Sequence, residues 1–189
     1  MIALCEFEAS AAAAIARGAG HGLGQVALAD PAQATTARLS SAPDTTTMPV
    51  LIVGAGVISR FHVAAMKASG RFTCAAISDS NITAAGRLSE AVLAGGSPRP
   101  VLFESLETAL AADSLEPLFQ SVWVLVPNIG DLHVRLTTLA LRARKHVLLE
   151  KPIALTCRDA EELLSVSETC DPTLMIAENA AFWPAVRAQ

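Results

Sequence analysis

The chain has 189 residues, of which 52% are hydrophobic and 17% are charged. This composition supports a packed core and excludes an intrinsically disordered chain, and the length allows one ordinary domain with an appendage. The net charge of −4 argues against a nucleic-acid surface or an anionic membrane, and no apolar run is long enough for a transmembrane helix. The 4 cysteines have neither C-x-x-C nor zinc spacing, which indicates free thiols in a reducing compartment and no metal site.

The first 47 residues differ in composition from the rest. They are rich in Ala, Gly, Ser and Thr, so we predict a largely disordered, low-complexity extension over residues 1–47. No secretory signal is recognisable, which favours a cytoplasmic location. An organelle transit peptide is the competing interpretation, favoured by the Ala and Ser content and opposed by Glu6 and Glu8. An extended start upstream of Met48 is a third interpretation, and the composition favours it over targeting.

From Pro49 onward, short apolar runs alternate with helical periodicity. We predict strands at Val50–Val53, Phe72–Ser78, Val101–Phe103, Val122–Val126, His146–Leu149 and Thr173–Ala177. We predict helices at Ile58–Ser69, from an Asn81 cap to Ala94, at Leu106–Ala112, at Asp131–Arg144, and from a capping box at Thr156–Asp159 to Glu168. Continuous apolar strands separated by helices predict an α/β fold over residues 48–180, with a Rossmann-type, doubly wound parallel sheet.

The first predicted turn carries a glycine motif. Residues 54–59 follow the first strand, open the first helix and match G-x-G-x-x-G with Ser59 in the last place. In such a motif Gly54 makes the tight turn, and the missing side chain of Gly56 lets a pyrophosphate approach the backbone at the helix N-terminus. Strand, turn and helix together therefore predict a dinucleotide site.

An acidic residue ends the second predicted strand. A carboxylate at Asp79 can accept hydrogen bonds from ribose hydroxyls and repels a 2′-phosphate, so NAD is predicted over NADP. NADP is the alternative, because Arg60 is placed in the sequence where it could reach a 2′-phosphate. The structural alternative for Asp79 is a plain turn residue before the Asn81 cap.

A second polar group follows the fifth predicted strand. Glu150, Lys151 and Pro152 lie at the carboxyl end of a parallel strand, where ligands of open α/β sheets bind. A lysine there can exchange a proton with a substrate hydroxyl while hydride moves to nicotinamide. By themselves these residues are more typical of an exposed turn closed by proline.

Together these segments resemble the Gfo/Idh/MocA family of oxidoreductases, which includes glucose–fructose oxidoreductase and inositol dehydrogenase. The resemblance covers residues 49–187, and the Glu150–Pro152 motif in this register is its most specific part. It is carried by Val50–Ala65, Asp79, Val126–Asn128, His133, Lys145–Thr156, Ala177–Asn179 and Phe182–Pro184.

The resemblance implies roles for individual residues. Lys151 matches the family's catalytic lysine, Glu150 matches a residue that positions cofactor and lysine, and Pro152 follows a cis peptide bond in relatives. The implied cofactor-binding set is Gly54, Gly56, Val57, Ile58, Asp79, Pro127, Asn128, Glu150 and Lys151. His62 and His133 match recurrent family histidines. We expect helix packing or local hydrogen bonding from both, because each lies on a helix and not at a strand end.

Several features depart from the family's pattern. Ser59 replaces Gly or Ala, residues 129–131 lengthen the segment after Asn128, and Arg144 replaces a Gly. If position 144 needs a left-handed backbone, the arginine costs about 1 kcal/mol. Relatives continue into a second α/β domain with substrate contacts. We expect that domain to be absent here, with residues 181–189 as the start of the crossover to it.

Two functions are compatible with these features. The first is the nucleotide-binding half of an NAD(P)-dependent oxidoreductase that exchanges hydride with a sugar, cyclitol or related polyol. The second is a nucleotide-binding module without independent catalysis, such as a remnant or a partner-dependent subunit. Because the walls that orient a polyol belong to the second domain, we expect this chain alone to bind the dinucleotide weakly and to turn over sugars negligibly.

Overall fold

Parallel strands and helices alternate along residues 47–179, the part of the chain that this computed structural model describes. The strands are β1 Met48–Val53, β2 Phe72–Ser78, β3 Val101–Phe103, β4 Ser121–Val124, β5 His146–Glu150 and β6 Leu174–Ala177. The helices are α1 Val57–Ser69, α2 Ile82–Ala94, α3 Leu106–Leu115, α4 Leu132–Arg142 and α5 Cys157–Thr169. Apart from Thr47, the predicted extension and the predicted crossover at residues 181–189 lie outside the described residues.

The strands form one sheet in the order β3-β2-β1-β4-β5-β6, and every neighbouring pair is parallel. The chain moves outward from β1 to β3, returns to β4 beside β1, and then moves outward in the other direction. This is the doubly wound Rossmann topology, which confirms the predicted fold class. The order of the strands reverses between β1 and β4, and nucleotides bind such sheets at the carboxyl ends of the strands on either side of that point.

Apolar side chains cover both faces of the sheet. On one face α1 and α2 pack against it, with Leu88 in the same cluster as Ile52 and Trp123. On the other face α3, α4 and α5 pack against it, with Leu141 in the same cluster as Val122. All four residues of β4 are buried because both of their faces are covered. None of the helices within residues 47–179 is long and apolar enough to cross a bilayer.

The predicted strands and helices are all present, and their ends shift by at most three residues. The Thr156 hydroxyl accepts the Asp159 N–H at 3.2 Å, which is the first of the two bonds of the predicted capping box. A box with both bonds formed occurs at Ser105 and Thr108 instead, at the start of α3.

Helix α4 ends in a left-handed residue. Arg144 has φ of +60°, and its N–H donates to the Leu141 carbonyl at 2.9 Å. Its guanidinium lies 2.9 Å from the Asp171 carboxylate, and both side chains are exposed. Position 144 therefore has the left-handed backbone for which the sequence predicts a cost, and glycine would adopt it with less strain than the arginine.

Candidate functional site

The glycine turn joins β1 to α1 and lies against the residues that follow β4. Gly54 has φ of +98°, and a Cβ there would lie 3.0 Å from the Leu125 carbonyl carbon and oxygen. Both the backbone conformation and the lack of space therefore require glycine. The Gly54 N–H donates to the Ser78 carbonyl at 2.8 Å, which fastens the turn to the end of β2.

Gly56 meets a different constraint. Its φ of −74° is available to any residue, and a Cβ there would have no neighbour within 4 Å. The glycine thus leaves open space in front of the turn. Gly56 is also the N-cap of α1, where no side chain caps the helix, and the residues Val57 and Ile58 are 77% and 40% exposed. The first amides of α1 are therefore available to an anion at the positive end of the helix.

Ser59 strengthens this turn in a way the sequence did not reveal. Its side chain is fully buried, and its hydroxyl donates to the Gly54 carbonyl at 2.6 Å. The Gly or Ala expected from the family's pattern has no such donor. The hydrogen bond depends on a rotamer and on the path of the turn, so residue size was the only signal available in advance.

The Asp79 carboxylate joins the end of β2 to the same turn. One oxygen accepts the Ala55 N–H at 2.7 Å, and the other accepts the Asn81 N–H at 2.7 Å. If Asp79 were only a turn residue before the Asn81 cap, it would accept the Asn81 N–H but would have no reason to accept the Ala55 N–H. Each oxygen keeps a lone pair for a further donor, such as a ribose hydroxyl beside the glycine turn.

Glu150 ends β5 and is bound on both of its oxygens. One oxygen lies 3.0 Å from His62 Nε2, and the other accepts the Lys151 N–H at 3.0 Å. The His62 ring also packs edge-on against Trp123, with ring centroids 5.5 Å apart. The expected helix packing of His62 is present, but its hydrogen bond is not local, because it joins residues 88 positions apart.

The charge of Glu150 is set by the same contacts. Partial burial raises the pKa of the Glu150 carboxyl, and the His62 hydrogen bond and charge lower it, as do the N–H and the charge of Lys151. The lowering effects prevail, so the pKa lies below its ordinary value of 4.5. Glu150 is therefore a fixed negative charge beside the exposed Lys151 at neutral pH.

The loop after β5 meets the loop after β4. The peptide bond between Lys151 and Pro152 is cis, as the resemblance implied. The Asn128 side-chain amide donates to the Pro152 carbonyl at 3.3 Å, so Asn128 is held next to the Lys151 backbone. His133, which is 1% exposed, places its two ring nitrogens 2.8 Å from the Pro152 carbonyl and 2.9 Å from the Val126 carbonyl.

The nine predicted site residues thus lie at one edge of the sheet. They lie at or after the carboxyl ends of β2, β1, β4 and β5, which are four adjacent strands. Asp79 and Lys151 stand three inter-strand steps apart, about 14 Å at 4.8 Å a step. Residues 47–179 contain no group of three or more His, Cys, Asp or Glu side chains that could hold a metal ion. The arrangement suits an extended anionic ligand whose far end reaches a lysine.

Comparison with known proteins gives related enzymes. The chain is 32% identical over 87 residues to D-xylose 1-dehydrogenase [NADP(+)] of Haloarcula marismortui, covering 46% of this chain and 22% of that protein. It is 29% identical over 137 residues to D-apiose dehydrogenase of Paraburkholderia graminis, covering 72% of this chain and 34% of that protein. An oxidoreductase from Thermotoga maritima superposes with a TM-score of 0.64 at 26% identity, covering 74% of this chain and 40% of that one.

These matches extend over well under half the length of each relative. Residues 48–177 also match the sequence model described as the oxidoreductase family with an NAD-binding Rossmann fold, GFO/IDH/MocA. That match takes in all six strands and the glycine turn between β1 and α1. The chain therefore belongs to the Gfo/Idh/MocA oxidoreductase family, whose Rossmann fold binds NAD.

Proposed function

We propose that this chain is the dinucleotide-binding part of an NAD-dependent oxidoreductase that exchanges hydride with a secondary alcohol or ketone of a sugar, cyclitol or related polyol. One observation carries the proposal. The glycine turn, Asp79 and the Glu150–Lys151 pair lie on adjacent strands at one edge of the sheet. An anion site, a ribose acceptor and a proton-transfer group are therefore arranged in a line.

The residues present fit the cofactor. A Cβ at Gly56 would stand in otherwise open space, which is the space a pyrophosphate needs to reach the backbone. The amides of Val57 and Ile58 would donate to its oxygens, and Asp79 would accept from the adenosine ribose. When bound, NAD supplies a hydride acceptor at its nicotinamide ring. Pro127 and Asn128 would line the nicotinamide side, because they follow β4 between the glycine turn and Lys151.

Lys151 would move the proton. Its amine takes the proton of the substrate hydroxyl as hydride leaves the carbon, and returns it in the reverse direction. Glu150 accepts the Lys151 N–H through one carboxylate oxygen and so holds the backbone of the lysine in place. His62 binds the other oxygen and so fixes the carboxylate against α1.

The carboxylate at Asp79 supports a preference for NAD. Both oxygens face backbone N–H groups of the turn region, so a 2′-phosphate there would meet a fixed negative charge. Arg60 is exposed on α1 and is the residue that would favour NADP instead. Calorimetric titration with each cofactor decides between them, and equal or tighter binding of NADP would reject the preference.

The substrate class rests on the relatives. D-xylose and D-apiose, which appear in the names of two relatives, are both sugars. The matches span about a fifth to a third of the length of those proteins. We therefore expect the contacts that select a substrate to come from residues outside 47–179.

The test has two arms. Calorimetry should detect NAD binding by the full chain, and Gly56→Val should abolish it. A panel of sugars and cyclitols is then followed at the absorbance of reduced nicotinamide, with the chain alone and with the second domain of a family member supplied. Turnover that appears with that domain and disappears in Lys151→Ala supports the proposal. Turnover that survives Lys151→Ala refutes the role of the lysine, and binding without turnover in either format supports a non-catalytic nucleotide-binding module.

A further inference from the structure

His133 makes two hydrogen bonds that a neutral histidine cannot make together. Its Nδ1 lies 2.8 Å from the Pro152 carbonyl, and its Nε2 lies 2.9 Å from the Val126 carbonyl. A carbonyl oxygen only accepts, so each contact needs an N–H on the ring. Neutral imidazole carries one N–H, and imidazolium carries two. In the neutral ring, one nitrogen lone pair would face a carbonyl oxygen at hydrogen-bond distance.

We propose that His133 is a positioning residue that joins the segment after β4 to the loop after β5, and that it does so fully only when both ring nitrogens carry a proton. The two carbonyls flank the predicted nicotinamide side of the site. Val126 precedes Pro127 and Asn128, and Pro152 follows Lys151. Protonation of one buried ring therefore sets the spacing between the two loops that carry these residues.

With the exception of the half-buried Asp159, the charged groups of the elements packed around His133 are engaged elsewhere or exposed. On α4 and the loop before it, Asp131 is exposed and Arg135 pairs with Glu107 of α3. After β5, the Glu150 carboxylate binds His62 and the Lys151 N–H. The side chain of Lys151 itself is exposed.

On α5 the nearest acid to the helix start is Asp159, which is half-buried, and the charged side chains Arg158, Glu161 and Glu162 are exposed. Within residues 47–179 no carboxylate bonds the His133 ring, so the two carbonyls are its polar partners.

Loss of one proton would remove one of the bonds that hold the loop after β5 and would leave the segment after β4 unchanged. The Pro152 carbonyl has a second donor, the Asn128 amide at 3.3 Å. Among the described residues, His133 is the side-chain donor to the Val126 carbonyl. A neutral ring should therefore keep its proton on Nε2 and lose the bond to Pro152. The end of β4 stays fastened, and the backbone next to Lys151 is held by one hydrogen bond fewer, with the Asn128 and Glu150 bonds remaining.

The experiment reads the ring directly. The full chain is labelled with ¹⁵N, and the ring nitrogens of His133 are assigned by their absence from His133→Gln. As the pH is lowered from about 8 to about 5, we expect the added proton to appear on Nδ1, so that both hydrogen bonds form in the doubly protonated ring. The backbone N–H signals of Lys151 and Ile153 should shift with the same transition. A single neutral tautomer across the range, or loop signals that ignore the ring, would overturn the proposal.

Two variants separate positioning from simple packing. His133→Gln keeps a donor near the Nε2 position, and His133→Asn keeps one near the Nδ1 position, and neither titrates. The Lys151 and Ile153 signals should lose their pH dependence in both variants. His146→Gln, which changes an exposed histidine at the start of β5, is the control and should keep it. If one of the His133 variants fails to fold, the other and the parent titration still decide the question.

The consequence for the cofactor rests on the proposed function and is measured separately. NAD should bind the parent at least about fivefold more weakly at the alkaline end than at the acid end, with no such change in His133→Gln. NAD binding that ignores pH while the ring titrates would refute the effect on the cofactor. If no variant binds NAD at all, the proposed function fails, and the NMR measurements still decide the role of His133.

Discussion

A methyl group added at Gly54 or at Gly56 of the β1–α1 turn should affect different properties of the protein, stability in the first case and dinucleotide binding in the second. In Gly54→Ala the new Cβ would sit in a backbone at φ +98° and 3.0 Å from the Leu125 carbonyl group. In Gly56→Ala the backbone is at φ −74° and no atom lies within 4 Å of the new Cβ. The first change should therefore damage the fold, and the second should damage only the binding of the dinucleotide.

The magnitudes follow from these two environments. For Gly54→Ala, a side chain in a sparsely populated backbone region costs about 1–3 kcal/mol, and the crowding against Leu125 places this variant at the upper end. For Gly56→Ala, the loss of a glycine N-cap and the reduced freedom of the unfolded chain offset each other to within about 1 kcal/mol. The unfolding midpoint should thus fall by about 6–12 °C in the first variant and by a few degrees at most in the second.

Thermal and urea unfolding measure the first effect, and calorimetric titration with NAD measures the second. Gly56→Ala should fold like the parent and bind NAD at least about tenfold more weakly, because its Cβ would stand where the pyrophosphate approaches the backbone. A Gly54→Ala variant as stable as the parent would refute the strain at Gly54. A Gly56→Ala variant that binds NAD as tightly as the parent does would refute the pyrophosphate site at Gly56.

Three further changes test other parts of the structure. Arg144→Gly should be about 1 kcal/mol more stable than Arg144→Ala in urea unfolding, because both lose the exposed pair with Asp171 and only glycine relieves the left-handed backbone; equal stabilities would contradict the strain. Asp113→Ala should cost about 3–5 kcal/mol, since it removes the carboxylate that pairs with the mostly buried Lys145 cation and that accepts the Leu118 and Phe119 N–H groups, and adding Lys145→Met should recover part of the loss. Because the pKa of Glu150 is lowered on folding, the unfolded chain binds the proton first, so its contribution to stability is present above about pH 4.5 and is lost as pH falls through the lower folded value. Glu150→Gln should lack that part of the acid loss, and an unchanged pH profile would refute the assignment.

The fold was largely predictable because its signals are local. Each strand is a short apolar run, and three of the five helices within residues 47–179 begin at a side-chain cap, at Asn81, Ser105 and Thr156, so the alternation alone indicates a parallel sheet covered on both faces. The glycine motif and Asp79 were predictable for a similar reason. Strand, turn, helix and a second strand end stand in a fixed order along the chain, and the topology then brings their ends together.

The contacts that link distant parts of the chain were not predictable in the same way. His62 was expected to pack on its helix, and it also reaches Glu150 at the end of a strand 88 positions later. Ser59 looked like a tolerated small residue, and its buried hydroxyl holds Gly54. Both contacts depend on crossing geometry and on rotamers, which a single sequence does not specify.

The double anchoring of Asp79 has a consequence for how this protein could change cofactor. The carboxylate that would discriminate against a 2′-phosphate also accepts the Ala55 N–H, so it stabilises the glycine turn to which either dinucleotide would bind. Exchanging it for a small neutral residue would relax selectivity and loosen the turn in the same step. Asp79→Asn keeps one acceptor for the two N–H groups and removes the charge, so it is the mildest first step on that path. Cofactor selectivity and the rigidity of the glycine turn therefore depend on the same side chain. A variant that changes the selectivity needs a second substitution to restore the rigidity of the turn.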